Sequence, residues 1–272
     1  MGRGRSACRL LLLIPALAFA LLACSPRPAA GGGAAPRRST ALPLQTGVNA
    51  LTLEAGGLRR SVRVYVPRAP RVPAPLVVAL HGAGGNGEAM AGVSGYDGQA
   101  EERGVIVAYP DAIRGAWVIT TGPPNPDEQL MAALVDALAA RLPLDRGRVY
   151  AAGYSNGGGM VYRLGCDQAM LFAALASVAG AMVVRGCRPA RPIPLLEVHS
   201  TGDDVVPYGG DQQGLPSTEE GIARWRALGC PAELYRIDGG SHAWPPVATA
   251  LTLDFLLSRS LASGARAAGH PG

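Results

Sequence analysis

Two stretches in which apolar and β-branched residues alternate with polar ones, 47–54 and 60–66, read as a leading antiparallel hairpin. The pattern then changes. Pro75-Leu76-Val77-Val78-Ala79-Leu80 is a continuous apolar run, too short for a helix and without a polar face, which predicts a buried parallel strand. Similar runs recur at 104–109, 148–152, 174–180, 193–198 and 232–237. Segments of helical character lie between or after them at 125–142, 156–166, 216–228 and 247–261, the third opening on a Ser217-x-x-Glu220 capping box. Strands alternating with helices predict an α/β fold with a mostly parallel sheet covered on both faces. No repeat or second-domain linker interrupts the pattern, and 272 residues suffice for one large core.

The N-terminal residues follow a different rule. Arg3, Arg5 and Arg9 precede or open an apolar stretch, 10–23, that is too short and Pro-interrupted for a membrane span, so residues 1–24 read as a signal peptide. The stretch ends in Leu21-Leu22-Ala23-Cys24, the pattern of a lipoprotein processing box in which Cys24 becomes the lipidated first residue; ordinary cleavage nearby is the alternative. Residues 25–41, rich in Pro, Gly, Ala and Arg, read as a disordered tether, 42–262 as the single folded domain and 263–272 as a disordered tail. The expected location is therefore outside the cytoplasm, anchored to a membrane only through the N-terminal lipid, or otherwise secreted.

Charge changes the picture little. Six of the 25 basic residues, and no acidic residue, lie before position 42, which leaves 19 basic against 20 acidic residues, so a nucleic-acid partner is not expected. Export permits disulfides. With Cys8 in the leader and Cys24 at the anchor, Cys166, Cys187 and Cys230 allow one bridge and one leftover thiol; Cys166 and Cys187 flank a single strand-like segment and are the expected pair. No Cys or His pair has metal-ligand spacing, so no metal is expected.

The sharpest chemical feature is Gly153-Tyr154-Ser155-Asn156-Gly157, placed between a predicted strand and a predicted helix. Small residues there permit the tight strand-to-helix turn of a nucleophile elbow, with Ser155 at its apex. A serine hydroxyl needs a base, and the chain has four histidines. His270 is in the tail, His81 precedes the nucleophile, and His199 precedes the best acid and reads as a structural histidine under the site. His242, in a loop after the last strand, fits the order nucleophile, acid, base. Thr201-Gly202-Asp203-Asp204 supplies the acid, either aspartate being possible on this reading. The Gly-rich loop 81–87 and the residue after the nucleophile supply the expected oxyanion-hole donors, the backbone N–H groups of Ala83 and Asn156. A phosphate loop is excluded because the chain has no Lys.

Taken together, Arg63-Val64-Tyr65-Val66-Pro67, the HGAGGNG loop at 81–87, Tyr109-Pro110-Asp111, Gly153 to Gly158, His199-Ser200-Thr201-Gly202-Asp203 and His242-Ala243-Trp244-Pro245 resemble the secreted esterases that include feruloyl esterases and polyhydroxybutyrate depolymerases, over roughly residues 58–257. The resemblance implies the α/β-hydrolase fold, selects Asp203 as the acid, and also implies the Cys166–Cys187 bridge. It implies hydrolysis of carboxylic esters through an acyl-Ser155 intermediate without a cofactor, most naturally of feruloyl-type aromatic esters. Trp117 and Trp244 have two readings as residues, either flanking a planar acyl group or serving as buried packing. A hydroxyalkanoate depolymerase is the close alternative, and a non-catalytic surface-binding lipoprotein the alternative from another class. The chain departs from the family pattern at Ser200 and Ser241, where glycines are usual, and is shortened at 118–126 and between Cys230 and Tyr235.

Overall fold

The computed structural model describes residues 44–120 and 122–261. The expected leader, Cys24, the tether and the 263–272 tail lie outside the described residues. Two strands open the fold as the predicted hairpin, β1 (Gly47–Ala55) and β2 (Leu58–Val66). The others are β3 (Ala74–Leu80), β4 (Ile106–Pro110), β5 (Leu144–Tyr154), β6 (Ala174–Val178), β7 (Leu195–Ser200) and β8 (Ala232–Ile237). All join one sheet in the order β1-β2-β4-β3-β5-β6-β7-β8, parallel from β4 to β8 and antiparallel at β1 and β2.

The helices are α1 (Gly87–Ser94), α2 (Tyr96–Arg103), α3 (Pro126–Ala139), α4 (Asn156–Asp167), α5 (Thr218–Ala227) and α6 (Pro246–Leu257). Leu76, Val78 and Leu80 of β3 pack on one side with Leu130, Leu134, Val161, Leu164 and Trp225 of α3, α4 and α5. Val77 and Ala79 pack on the other with Met90, Tyr96, Ala100, Leu253 and Phe255 of α1, α2 and α6. Both faces are covered, which is why β3 is apolar throughout rather than alternating. Each fully buried Leu or Val contributes about 2 kcal/mol of transfer free energy. Among the described residues no helix is long and apolar enough to cross a membrane.

Boundaries differ from expectation where turns intrude. Gly104, read as strand, has φ +63 and caps α2, so β4 begins at Ile106. β5 starts at Leu144, four residues early, with its register to β3 shifting between Ala74 and Leu76. Neither α1 nor α2 was predicted. Each is only eight residues long and interrupted by Gly, and α2 carries only Tyr96 and Ala100 as buried positions. The Ser217 capping box is present at α5. Cys166 at the end of α4 is bonded to Cys187 in the loop after β6, and Cys230 is a buried free thiol.

Because β3, β5, β6, β7 and β8 are parallel neighbours, their C-terminal ends open on one edge of the sheet. The loops after β3, β5, β7 and β8 are those that carry the Gly-rich run, Ser155, Asp203 and His242.

Candidate active site

Ser155 occupies the junction of β5 and α4 with φ +56 and ψ −117, a conformation that an L-residue keeps only when its surroundings impose it. Neighbouring glycines allow the turn. A Cβ on Gly153 would lie 2.2 Å from Gly157 O, and one on Gly157 would lie 2.3 Å from Leu80 O. The Ser155 N–H donates to Val178 O at 2.9 Å, tying the apex to β6.

Ser155 Oγ lies 2.9 Å from His242 Nε2, and His242 Nδ1 lies 2.8 Å from Asp203 Oδ2. A carboxylate can only accept, so Nδ1 carries the proton and Nε2 is free to accept from Ser155. Asp203 is buried; its Oδ1 accepts from Val205 N at 3.0 Å and Val206 N at 2.8 Å. Burial pushes its proton affinity up, but the hydrogen bonds from His242, Val206 and Val205 outweigh that and hold the carboxyl below its usual range. Asp204 is exposed. The acid and base loops are bound to each other: Thr201 N donates to Ile237 O at 2.8 Å, Gly202 N to Gly239 O at 2.9 Å and Gly239 N to Thr201 Oγ1 at 2.8 Å.

Gly82 packs against the nucleophile so closely that a Cβ there would lie 3.3 Å from Ser155 Cβ. Neither the Ala83 N–H nor the Asn156 N–H has a hydrogen-bond partner among the described residues. The loop carrying Ala83 is held from behind. His81 Nε2 accepts from Ala112 N at 3.0 Å, so its Nδ1 donates to Gly82 O at 2.7 Å, and Gly84 N donates to Gly115 O at 2.8 Å. Burial lowers the His81 pKa, which keeps that ring neutral.

Of the two readings of Trp117, the structure shows the buried packing and not the pocket wall. It is 3% exposed, its indole N–H donates to His81 O at 2.8 Å, and its backbone N–H donates to Asn156 Oδ1 at 2.7 Å. An indole buried in this way offers no face to a planar acyl group; it braces the Gly-rich loop against the start of α4. Behind it, the buried Arg60–Asp127 ion pair, 2.7 Å apart, holds the same segment through Val118 N to Asp127 Oδ2 at 2.9 Å. Trp244 stays half-buried, edge-on to Tyr154 at 6.5 Å and to Tyr96 at 5.5 Å.

Three residues with a place in this arrangement were not singled out by sequence. Tyr154 stacks on His242 with centroids 5.2 Å apart and donates its hydroxyl to His242 O at 3.0 Å. Thr218 Oγ1 lies 2.8 Å from His199 Nδ1, and Glu197 lies fully buried beside the same ring. Tyr154 stands inside the GYSNG string, but only the tertiary fold brings it to residue 242. His199 is under the site as expected, its Nε2 3.2 Å from Asp203 Oδ2. Ser200, one of the departures from the family pattern, fits because Gly240 faces it: a Cβ on Gly240 would lie 2.8 Å from Ser200 Oγ.

No protein-family model matches the chain. A protein named probable feruloyl esterase C from Aspergillus terreus is 30% identical over 211 residues, covering 66% of this chain and 76% of that one. Another of that name, from Aspergillus niger, is 29% identical over 180 residues, covering 63% of each. The chain thus spans less than two thirds of some of the curated relatives it matches, 58% and 63% of two of them. Among solved structures, a thermostable esterase superposes with TM-score 0.64 at 23% identity, covering 78% of this chain and 63% of that one. An acetyl xylan esterase from Aspergillus awamori superposes with TM-score 0.63 at 16% identity, covering 76% and 98%. These neighbours share the α/β-hydrolase fold, and on the identity and coverage of the Aspergillus terreus relative the chain belongs to the feruloyl esterase family of that fold.

Proposed function

We propose that the protein hydrolyses carboxylic esters through an acyl enzyme on Ser155. The observation that carries this is the unbroken hydrogen-bonded line Ser155 Oγ, His242 Nε2, His242 Nδ1, Asp203 Oδ2, at 2.9 and 2.8 Å. Ser155 Oγ attacks the ester carbonyl while His242 Nε2 takes its proton, and Asp203 steadies the imidazolium that forms. The oxyanion meets the N–H groups of Ala83 and Asn156, each such donor being worth about 3 kcal/mol in the transition state. His242 then returns the proton to the leaving alcohol. Water then attacks the acyl carbon while His242 takes its proton, the bond to Ser155 Oγ breaks and His242 returns the proton to that oxygen, so one ester and one water give one acid and one alcohol and the enzyme is restored.

Feruloyl-type aromatic esters are the proposed substrates, supported by the relatives named feruloyl esterase and by the half-buried Trp244 and Tyr154 beside His242. Export and anchorage through a lipid on Cys24 are part of the proposal, supported by Leu21-Leu22-Ala23-Cys24. Cys24→Ser is expected to move the protein from the membrane to the soluble fraction; unchanged fractionation would remove the anchor.

The test is release of ferulate from methyl ferulate. The full chain should hydrolyse it, and Ser155→Ala should lower kcat by at least about a thousandfold with folding intact. Hydrolysis retained by that variant would overturn the assignment of Ser155. A folded wild type inactive on methyl ferulate but active on short hydroxyalkanoate esters would replace the aromatic substrate class.

A further inference from the structure

We propose that His199 is a positioning residue for the Ser155 chemistry, acting through Asp203. It donates its Nε2–H to Asp203 Oδ2, the oxygen that also receives the His242 proton, from a tautomer that the fold fixes. This deepens the esterase reading and rests on it.

The tautomer follows from the partners. His199 Nε2 lies 2.9 Å from Val206 O and 3.2 Å from Asp203 Oδ2. A carbonyl oxygen only accepts, so Nε2 must carry a proton, shared between Val206 O and Asp203 Oδ2. In the neutral ring Nδ1 is then an acceptor, and Thr218 Oγ1, 2.8 Å away, donates to it. Thr218 is the first residue of α5, set by the Ser217–Glu220 capping box, and its N–H donates to Tyr208 O at 2.8 Å. The donor to Asp203 is thus held from behind by a helix start and by the loop that follows the acid.

The groups facing this ring leave it neutral. Glu197, on the same strand, brings Oε1 to 3.7 Å from Nδ1. Burial pushes the Glu197 carboxyl up to about 8 against the pull of its hydrogen-bond partners Tyr162 and Gly180, so near pH 7 it does not draw a proton onto Nδ1. Burial likewise lowers the His199 pKa, outweighing the Val206 carbonyl and Asp203. Tyr208 meets the ring edge-on at 5.7 Å. Arg236, paired with His199 in register across β8, bonds Asp238 at 2.8 Å. His242 shares Asp203 from the other side.

A second donor on Oδ2 draws off part of the charge that His242 feels and stops the carboxylate from rotating. Its removal makes Asp203 a stronger acceptor for the imidazolium, so the base becomes protonated at higher pH. In His199→Leu the acid limb of kcat/KM on methyl ferulate should move up by about half a pH unit, since a lost hydrogen bond is worth about that much. Thr218→Val, which frees the tautomer, should move it less in the same direction. His199→Gln places an amide N–H near the position of Nε2 and should restore it, with KM within about twofold throughout. Nitrogen-15 spectra of histidine-labelled full-length protein should show His199 as the neutral Nε2–H tautomer at pH 7, and the proton shared by His242 and Asp203 should move downfield in His199→Leu.

A His199 ring protonated on Nδ1, an unmoved acid limb in folded His199→Leu, or a glutamine variant no better than the leucine one would overturn the proposal. If His199→Leu does not fold, Thr218→Val carries the comparison, and an unmoved limb there has the same force. The spectra need no substrate, so a wild type that hydrolyses nothing would sink the esterase reading while the placement of His199 is still decided.

Discussion

Asp203 accepts four hydrogen bonds, from His242, His199, Val205 and Val206, while its neighbour Asp204 stands in solvent. Asp203→Asn is therefore expected to cost about 10⁴-fold in kcat by forcing the wrong imidazole tautomer, and Asp204→Asn less than about threefold. Equal losses would remove the distinction. Ser155 and His242 were legible at this scale because a strand-to-helix turn and the order of elements leave few alternatives. The choice between two adjacent aspartates was not, since spacing alone treats them alike and only the family pattern separated them. The two readings of Trp117 stayed open for a related reason: an indole near a catalytic loop has the same sequence signature whether it lines a pocket or braces the loop. Tyr154 was missed because its partner lies 88 residues away.

At the scale of elements, the decisive contact is that between α4 and β3. A methyl group on Gly157 would meet the Leu80 carbonyl at 2.3 Å and force strand and helix apart. Gly157→Ala should thus remove hydrolysis and lower Tm by several degrees, since shifting a packed backbone costs about 1–3 kcal/mol. Full activity in that variant would mean the elbow is looser than its geometry. The buried strands announced themselves by uninterrupted apolar runs, and α3 to α6 by length. Helices α1 and α2 fell below the threshold of any periodic signal, although Asn86, whose side chain accepts from Ala89 N at 2.8 Å, is a cap that could have marked the first.

For the whole molecule, stability depends on carboxyl groups that the fold keeps protonated. Burial pushes Glu128, beside the Asp167 carboxylate, up to about 8, so folding takes up a proton between the ordinary carboxylate range and that value. The associated stability is complete at low pH and is lost as pH rises through about 8. Glu128→Gln, which cannot ionise, should have a higher Tm than the wild type at pH 9 and an equal one near pH 4; an equal Tm at both would show that the Glu128 carboxyl titrates normally. The sheet order has a consequence of a different kind. Ser155, Asp203 and His242 come from the ends of three separate strands, and Ala83 from a fourth. A chain that stops short of the loop after β8, or whose last strand has not docked, does not contain the constellation, so the arrangement comes into being in one step, at the end of folding, and every folded molecule carries all of it.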